Sequence, residues 1–225
     1  MNFSALYKKA AELDAADPLK EYISRFYIPD KNLIYLDGNS LGRPPLAALT
    51  SAEDAVRVQW GDRLIRGWNE GWYTLSAKLS RKLASVIGCN YDEVIITDST
   101  SVNLYKLADA ALRTNPGRTS VVTDEFNFPS DVYILQGVIR NLGSRHSLTI
   151  VRSADSISMN TSDILSRITE ETALVCLSLV SFKSGYLYDI KTITDHAHKQ
   201  GALVLWDLSH AAGAVECRLS EYGAD

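Results

Sequence analysis

Two hydroxyl side chains, Thr100 and Ser101, stand just before a helical pattern that begins near Val102. The first N–H groups of a helix lack intrahelical acceptors and the helix dipole is positive there, so this segment could hold a phosphate. A plain N-cap by Ser99, Thr100 or Ser101 is the alternative, because Ser and Thr cap many helices. The sequence has no G-x-x-x-x-G-K-[ST] and no G-x-G-x-x-G, so it lacks the P-loop motif for ATP and the Rossmann fingerprint for NAD.

A carboxylate and an imidazole, Asp207 and His210, follow the apolar run Ala202–Trp206. If that run is a strand, Asp207 lies at its carboxyl end, where an ionised carboxylate is costly to bury unless a cation faces it. The protonated ring nitrogen of a bound cofactor is one such cation, and an arginine in a structural ion pair is another. The sequence leaves both alternatives open.

The segment Phe126–Asp131 combines aromatic rings with the helix-starting residues Pro129, Ser130 and Asp131. A phenyl ring here could stack on a flat heteroaromatic group, a contact worth roughly 0.5 to 1.5 kcal/mol. A hydrophobic staple followed by an N-cap has the same composition and is the structural alternative.

A formal match to the serine-hydrolase elbow G-x-S-x-G occurs at Gly38–Gly42, after the strand candidate Leu33–Leu36. A true elbow leads directly into a helix, whereas Arg43-Pro44-Pro45 follows here. The acid and base of a triad would have to be Asp207 and His210. These residues are only three apart in sequence, which is too close for the acid and base of a catalytic triad. A serine hydrolase is therefore disfavoured.

The histidines at 196 and 198 do not predict a metal site. On the predicted helix Ile190–Gln200, residues two apart point about 200° from one another, so His196 and His198 cannot converge on one ion. We expect them to be surface histidines next to Asp195, and we predict no metal.

Composition excludes several classes of function. The 225 residues carry 23 Lys and Arg against 27 Asp and Glu, for a formal charge of -4, so the basic surface of a nucleic-acid binder or of a protein bound to an anionic membrane is missing. No apolar run is long enough to span a bilayer and the first residues lack an export signal. Three widely spaced cysteines indicate reduced thiols. We therefore expect a cytoplasmic protein.

Alternating apolar runs and helical patterns after Gly88 predict an α/β fold with a mostly parallel sheet and flanking helices. The strand candidates are Val94–Thr97, Ser120–Thr123, Leu148–Val151, Ala173–Leu179 and Leu203–Trp206, and the helix candidates are Val102–Leu112, Asp131–Asn141, Ser162–Thr169 and Ile190–Gln200. The region before Gly88 is predicted to be helical up to Phe26 and again, in two stretches interrupted by Trp68–Tyr73, from Leu46 to Ile87. Polar clusters follow four of the strands, where open α/β sheets bind ligands.

Four motifs together resemble the kynureninase family, whose members are fold-type I pyridoxal 5'-phosphate enzymes similar to class-V aminotransferases. They are Tyr35–Gly42 with Pro44-Pro45, Thr100–Asn103, Phe128–Asp131 and Asp207–Gly213. The resemblance runs from about Tyr22 to the last residue. It implies that Gly38–Gly42 is an active-site loop and that Ser40 is not a nucleophile.

The resemblance also implies a role for each matching residue. Thr100 and Ser101 would hold the cofactor phosphate, Phe128 would stack on the pyridine ring and Asp207 would pair with the ring nitrogen. Pro129, Ser130 and Asp131 would belong to the same binding loop, with Ser178 and His210 close by. Trp68 is a weaker candidate for contacting the aromatic part of the substrate.

The family's Schiff-base lysine stands in a Ser-Tyr-Lys-Tyr type of motif, and no lysine of this chain lies in such a motif. We therefore expect the chain to be an amino-terminal part of such an enzyme, inactive alone and without the small carboxyl-terminal domain. The expected parts are a helical arm and active-site loop over residues 1–45 and a partial cofactor-binding domain over residues 46–225.

For the complete enzyme, the resemblance implies cleavage of L-kynurenine or 3-hydroxykynurenine to anthranilate or 3-hydroxyanthranilate and L-alanine, in tryptophan catabolism and NAD biosynthesis, by a homodimer. Another pyridoxal-phosphate lyase, such as a cysteine desulfurase, and an inactive cofactor-binding fragment are the alternatives.

Overall fold

A computed structural model describes residues 3–225. The chain divides into two compact units, Met1–Tyr73 and Thr74–Asp225. The domain boundary predicted between residues 45 and 46 stays a prediction.

The first unit is mainly helical. It contains α1 (Phe3–Ala16), a 3₁₀ turn at Lys20–Arg25, α2 (Leu46–Asp54), π-helical turns at Ala55–Asp62 and Trp68–Trp72, and a 3₁₀ turn at Leu64–Arg66. The predicted strand Leu33–Leu36 is wrong, because these residues pair with no strand in the part of the chain described and Ile34 and Leu36 are 84% and 88% exposed. Ser40 lies in a turn in which its N–H donates to Asp37 O, and the next helix begins only at Leu46. The strand and helix of a serine-hydrolase elbow are therefore both missing around this described turn.

The second unit is built on a four-stranded parallel sheet of order β2-β1-β3-β4. The strands are β1 (Ser120–Asp124), β2 (Ser147–Val151), β3 (Thr172–Ser178) and β4 (Leu203–Asp207). Every residue of β3 is buried, as expected for a strand covered on both faces by helices. The strand order reverses between β1 and β3, so the carboxyl edge there is the switch point at which open α/β sheets bind ligands.

Helices cover both faces of this sheet. From Tyr73 onward the helices are α3 (Tyr73–Ile87), α4 (Thr100–Thr114), α5 (Pro129–Asn141), α6 (Thr161–Leu165), α7 (Ile190–Lys199) and α8 (Leu219–Tyr222). One apolar core joins α4 and α5 to the sheet through Leu104, Leu112 and Leu135. A second core joins α6 and α7 to the opposite face through Ile164 and Ile193. The predicted α/β class and four of the five predicted strands are confirmed.

The strand predicted at Val94–Thr97 is wrong. The backbone at Val94 is extended, with φ -114° and ψ 129°, but none of residues 94–97 pairs with a strand of the described sheet. Ile95 is 76% exposed. The apolar pattern predicts extended backbone correctly, whereas a ladder also needs a distant partner strand, which the local pattern does not encode. No helix among residues 3–225 is long and apolar enough to cross a membrane.

Candidate active site

Polar side chains gather at the carboxyl ends of β1, β3 and β4. Ser178 and Asp207 are the last residues of their strands and are paired in register. Ser178 is buried, and its Oγ lies 3.5 Å from Asp207 Oδ2. The other carboxylate oxygen, Asp207 Oδ1, accepts the backbone N–H of Ser209 at 2.8 Å and its hydroxyl at 2.6 Å. These contacts hold the carboxylate through Oδ1, whereas the long Ser178 contact is the one hydrogen bond to Oδ2 among residues 3–225.

A second carboxylate, Asp131 in the first turn of α5, lies beside Asp207. It is 1% exposed, and Ser130 Oγ donates to its Oδ1 at 3.3 Å. Its Oδ2 is buried with no hydrogen-bond partner among residues 3–225. Burial, then the negative charge of Asp207, raises the pKa of Asp131 to about 6. Two adjacent carboxylates, one of which has a buried oxygen without a hydrogen-bond partner in the described chain, provide a site that favours a cation.

A buried hydrogen-bond network around Asn127 supports this edge, and the local sequence pattern does not predict it. Asn127 is 3% exposed. Its Oδ1 accepts the Ser178 hydroxyl at 2.7 Å and the Phe128 N–H at 3.1 Å. Its Nδ2 donates to Thr123 Oγ1 at 3.1 Å and to Cys176 O at 3.3 Å. The amide thus links the ends of β1 and β3 to the start of α5.

Asp124, the last residue of β1, shapes the turn that follows. Its Oδ1 accepts the N–H groups of Phe126 and Asn127, and its Oδ2 accepts the Tyr188 hydroxyl. Burial raises the pKa of Asp124, and burial with the nearby Asp124 charge raises that of Tyr188. An aspartate followed by a turn after an apolar strand is a pattern that could have identified this residue.

Three aromatic rings form a row at the same edge. Phe128 caps α5 immediately before Pro129, which occupies a first-turn position where a missing N–H costs nothing. Its ring is 42% exposed and meets Phe182 edge to face at 5.0 Å. Phe182 in turn stacks on His210 at 6.3 Å. A half-exposed phenyl ring at this edge suits a flat aromatic ring.

The start of α4 provides anion-binding groups. The helix begins at Thr100, two residues before the predicted start near Val102, and Ser99 occupies the N-cap position without a side-chain cap. No acceptor within the described chain is bonded to the hydroxyls of Thr100 and Ser101 or to their N–H groups. The plain N-cap alternative is therefore not what the structure has. Because α4 ends shortly before β1 begins and packs on the sheet, its N-terminus points to the carboxyl edge.

The carboxylate of Asp98, just before this helix start, is neutralised locally. Asp98 forms an ion pair with Lys106 and accepts the Thr97 hydroxyl at 2.9 Å. The Lys106 contact, then the Thr97 contact, lowers the pKa of Asp98. Asn103 Nδ2 donates to Thr97 O at 2.8 Å and fixes the approach to the helix.

These groups fit pyridoxal 5'-phosphate, the cofactor implied by the resemblance. Unpartnered donors at the start of α4 suit its phosphate. An exposed Phe128 ring suits its pyridine face, and the buried bare oxygen of Asp131 beside Asp207 suits a protonated ring nitrogen. The structure brings together Phe128, Ser130, Asp131, Ser178, Asp207 and His210.

Other candidate residues lie elsewhere. Trp68 belongs to the first unit, where its ring meets Trp72 edge to face at 6.0 Å, and its substrate contact stays a prediction. His198 pairs with Asp225 at 2.8 Å, while the Nε2 atom of His196 is buried without a partner among the described residues. The prediction that His196 is a surface histidine is wrong for its Nε2 atom, because this atom is buried. All three cysteines are free thiols.

Comparison with known proteins gives the family. The model of the family "Aminotransferase class-V" matches residues 68–225. This chain belongs to the class-V aminotransferase family. It is 42% identical to the kynureninase of Pseudomonas fluorescens over 95% of the chain and 50% of that protein. It is 40% identical to the kynureninase of Burkholderia mallei strain SAVP1 over 97% of the chain and 52% of that protein.

The resemblance to kynureninases is thereby confirmed, and the chain spans about half the length of these curated relatives. A solved structure, the apo cysteine desulfurase of Thermococcus onnurineus NA1, superposes with a TM-score of 0.71 at 21% identity, covering 96% of this chain and 51% of that one. At this identity the match supports the fold alone, and it confirms the predicted pyridoxal-enzyme type of fold.

Proposed function

We propose that this protein, expressed from its complete coding sequence, hydrolyses L-kynurenine or its 3-hydroxy form to anthranilate or 3-hydroxyanthranilate and L-alanine, with pyridoxal 5'-phosphate as cofactor. The observation that carries the proposal is the meeting of Phe128, Asp131 and Asp207, all from kynureninase-like motifs, at one strand edge. Identity of 42% to a named kynureninase favours this substrate over those of other family members.

The chemistry consumes one water molecule. The bond between Cβ and the γ-carbonyl carbon breaks, the hydroxyl of water goes to the acyl carbon, and a proton goes to Cβ to give alanine. When bound, pyridoxal 5'-phosphate supplies a ring that accepts the electron pair released at the substrate's α-carbon.

Residues of this chain hold and tune that ring. Asp207 keeps a proton on the ring nitrogen, because an ionised carboxylate opposite a protonated nitrogen stabilises the charged form. Phe128 orients the ring by stacking, and Thr100 and Ser101 donate hydroxyls and N–H groups to the phosphate. Each proton transfer also needs a positioned group of matched pKa. No lysine of these 225 residues stands in the family's motif, so the group that takes the α-proton is not assigned to this stretch.

Binding of the phosphate at α4 is tested with paired substitutions. Thr100→Val with Ser101→Ala removes both hydroxyls at little cost in volume and should weaken cofactor affinity measured by fluorescence titration. Thr114→Val is the matched control, because its hydroxyl donates within the other end of α4, to Ala110 O. Equal affinity in all three proteins would contradict the phosphate assignment.

The substrate is tested by supplying cofactor-loaded protein with L-kynurenine or L-cysteine. Release of fluorescent anthranilate from kynurenine supports the proposal, whereas sulfur transfer from cysteine without anthranilate supports a cysteine desulfurase, whose fold is similar. Cofactor binding with neither product supports a non-catalytic cofactor-binding protein.

We also propose a cytoplasmic location, which the three free thiols support.

A further inference from the structure

The hydroxyl of Ser178 faces two acceptors and carries only one proton. Its Oγ lies 2.7 Å from Asn127 Oδ1 and 3.5 Å from Asp207 Oδ2. Hydroxyl hydrogen bonds are commonest near 2.7 to 2.8 Å and weaken strongly by 3.5 Å. The proton of Ser178 therefore goes to Asn127, and Ser178 presents lone pairs, not a proton, to Asp207.

The orientation of the Asn127 amide is determined by its surroundings. Its Nδ2 faces two acceptors, Thr123 Oγ1 and Cys176 O. Its Oδ1 faces two donors, the Phe128 N–H and the Ser178 hydroxyl. A flipped amide would place donors against donors and acceptors against acceptors, so only one orientation satisfies the buried group.

We propose that Asn127 is a positioning residue that draws the Ser178 proton away from Asp207 and so keeps Asp207 Oδ2 free to accept from the cofactor's ring nitrogen. This inference rests on the proposed function, in which Asp207 faces that nitrogen. A carboxylate that accepts a further hydrogen bond is stabilised as an anion and becomes a weaker base. Asn127 thus preserves the basicity of Asp207 without touching the cofactor ring.

The acidic groups near Asp207 are the same in the wild type and in the alanine variants at positions 127 and 178. Asp131 on α5 lies within hydrogen-bonding reach of Asp207, and Asp124 at the end of β1 lies with both of them near Cys176. Neither makes a hydrogen bond to the Ser178 hydroxyl among the contacts within residues 3–225. The Asn127→Ala and Ser178→Ala variants therefore change the hydrogen bonding around Asp207 while leaving the neighbouring charges in place.

The test measures the pKa of the cofactor's ring nitrogen in the holoenzyme expressed from its complete coding sequence. Pyridoxal 5'-phosphate labelled with ¹⁵N in the ring reports protonation through its ¹⁵N chemical shift during a pH titration. Asn127→Ala frees the Ser178 hydroxyl to donate to Asp207, and should lower this pKa by about one unit, a tenfold change in proton affinity. Ser178→Ala should leave it near the wild-type value, because no hydrogen bond to Asp207 is lost.

The double variant, Asn127→Ala with Ser178→Ala, completes a double-mutant cycle. In the Ser178→Ala background, Asn127→Ala should cause no further fall, because its effect passes through the Ser178 hydroxyl. An equal fall in both backgrounds, or no fall in the single Asn127→Ala variant, would overturn the proposal. A rise of the pKa in Ser178→Ala would overturn it as well, since Ser178 would then have been donating to Asp207.

If Asn127→Ala does not fold, Asn127→Asp and Ser178→Ala decide the question. Asn127→Asp keeps an acceptor for the Ser178 proton and adds a negative charge near Asp207, and both effects oppose a fall of the ring pKa. A fall in this variant would therefore contradict the proposal. Asp207→Ala separates this inference from the proposed function. An unchanged ring pKa in Asp207→Ala would refute the pairing of Asp207 with the ring, whereas a change there with none in Asn127→Ala refutes only the role of Asn127.

Discussion

Tyr188 and Asp124 form a buried hydrogen bond in which the phenol donates to Asp124 Oδ2 at 2.5 Å. Tyr188 comes from the segment between β3 and α7, and Asp124 ends β1, so the bond ties together two loops of the carboxyl edge. No other hydrogen bond reaches Asp124 Oδ2 within residues 3–225. The turn that presents Phe128 depends on the same carboxylate.

Tyr188→Phe should lower the free energy of unfolding by about 1.5 to 3 kcal/mol, because a buried carboxylate oxygen loses its donor. Chemical denaturation followed by circular dichroism measures the change. Tyr133→Phe is the matched control, since Tyr133 on α5 is 69% exposed and should lose little. Equal effects of the two substitutions would show that the bond contributes nothing specific.

Phe128→Ala should weaken the affinity for pyridoxal 5'-phosphate by about two- to tenfold, the range that corresponds to loss of one stacking contact. Phe128→Trp keeps a stacking surface and should restore most of the affinity. Fluorescence titration measures both, with Tyr133→Ala as an exposed aromatic control on the same helix. Unchanged affinity in Phe128→Ala would remove Phe128 from the cofactor site.

The hydrophobic pattern of the sequence predicts the strand ends that form the site. It does not predict the contacts between the side chains at those ends. The apolar run at Ala173–Leu179 corresponds to β3 at Thr172–Ser178, and both Ser178 and Asp207 were predicted at strand ends. Asn127 was missed, because its importance arises from Thr123, Cys176 and Ser178, and the latter two are distant in sequence. A polar side chain buried by tertiary contacts has no periodic signature of its own.

Asp207→Ala should reduce anthranilate release by orders of magnitude in the protein expressed from its complete coding sequence, because an unprotonated pyridine is a poor electron acceptor. Steady-state kinetics should show the loss in kcat. Asp195→Ala is the control, since Asp195 forms an ion pair with Lys191 on α7 in which both side chains are about half exposed. Similar rates for the two variants would contradict the role given to Asp207.

The exposed apolar side chains of α1 indicate that the protein self-associates. On α1, Phe3, Leu6 and Leu13 are 65%, 53% and 59% exposed, an apolar surface that a partner copy could cover. We expect a homodimer by light scattering and a shift toward monomer in Leu6→Glu with Leu13→Glu. Lys9→Glu changes charge on the same helix without removing apolar area and should keep the dimer. A wild-type monomer at micromolar concentration with full activity would contradict this prediction.

Asp131 should make the stability of the protein depend on pH. Its pKa is raised from the ordinary 3.8 to about 6 in the folded state, so the folded state holds a proton more tightly than the unfolded state does. Below the ordinary value both states are protonated, and stability is lost as pH rises until the folded carboxyl has ionised above about 6. Asp131→Asn removes this ionisation, and therefore its Tm should exceed that of the wild type increasingly between these two values and by a constant amount above them.

Thermal unfolding of cofactor-free protein across this pH range measures the difference. Asp195→Asn is a control of opposite sign, because its hydrogen bond to Lys191 lowers the pKa of Asp195, so removing that carboxylate should not raise Tm. A Tm difference for Asp131→Asn that stays the same from acid to neutral pH would show that its cause is packing and not charge. Adding pyridoxal 5'-phosphate should shrink the difference at neutral pH, because a ring cation beside Asp207 offsets the repulsion that Asp131 experiences when ionised.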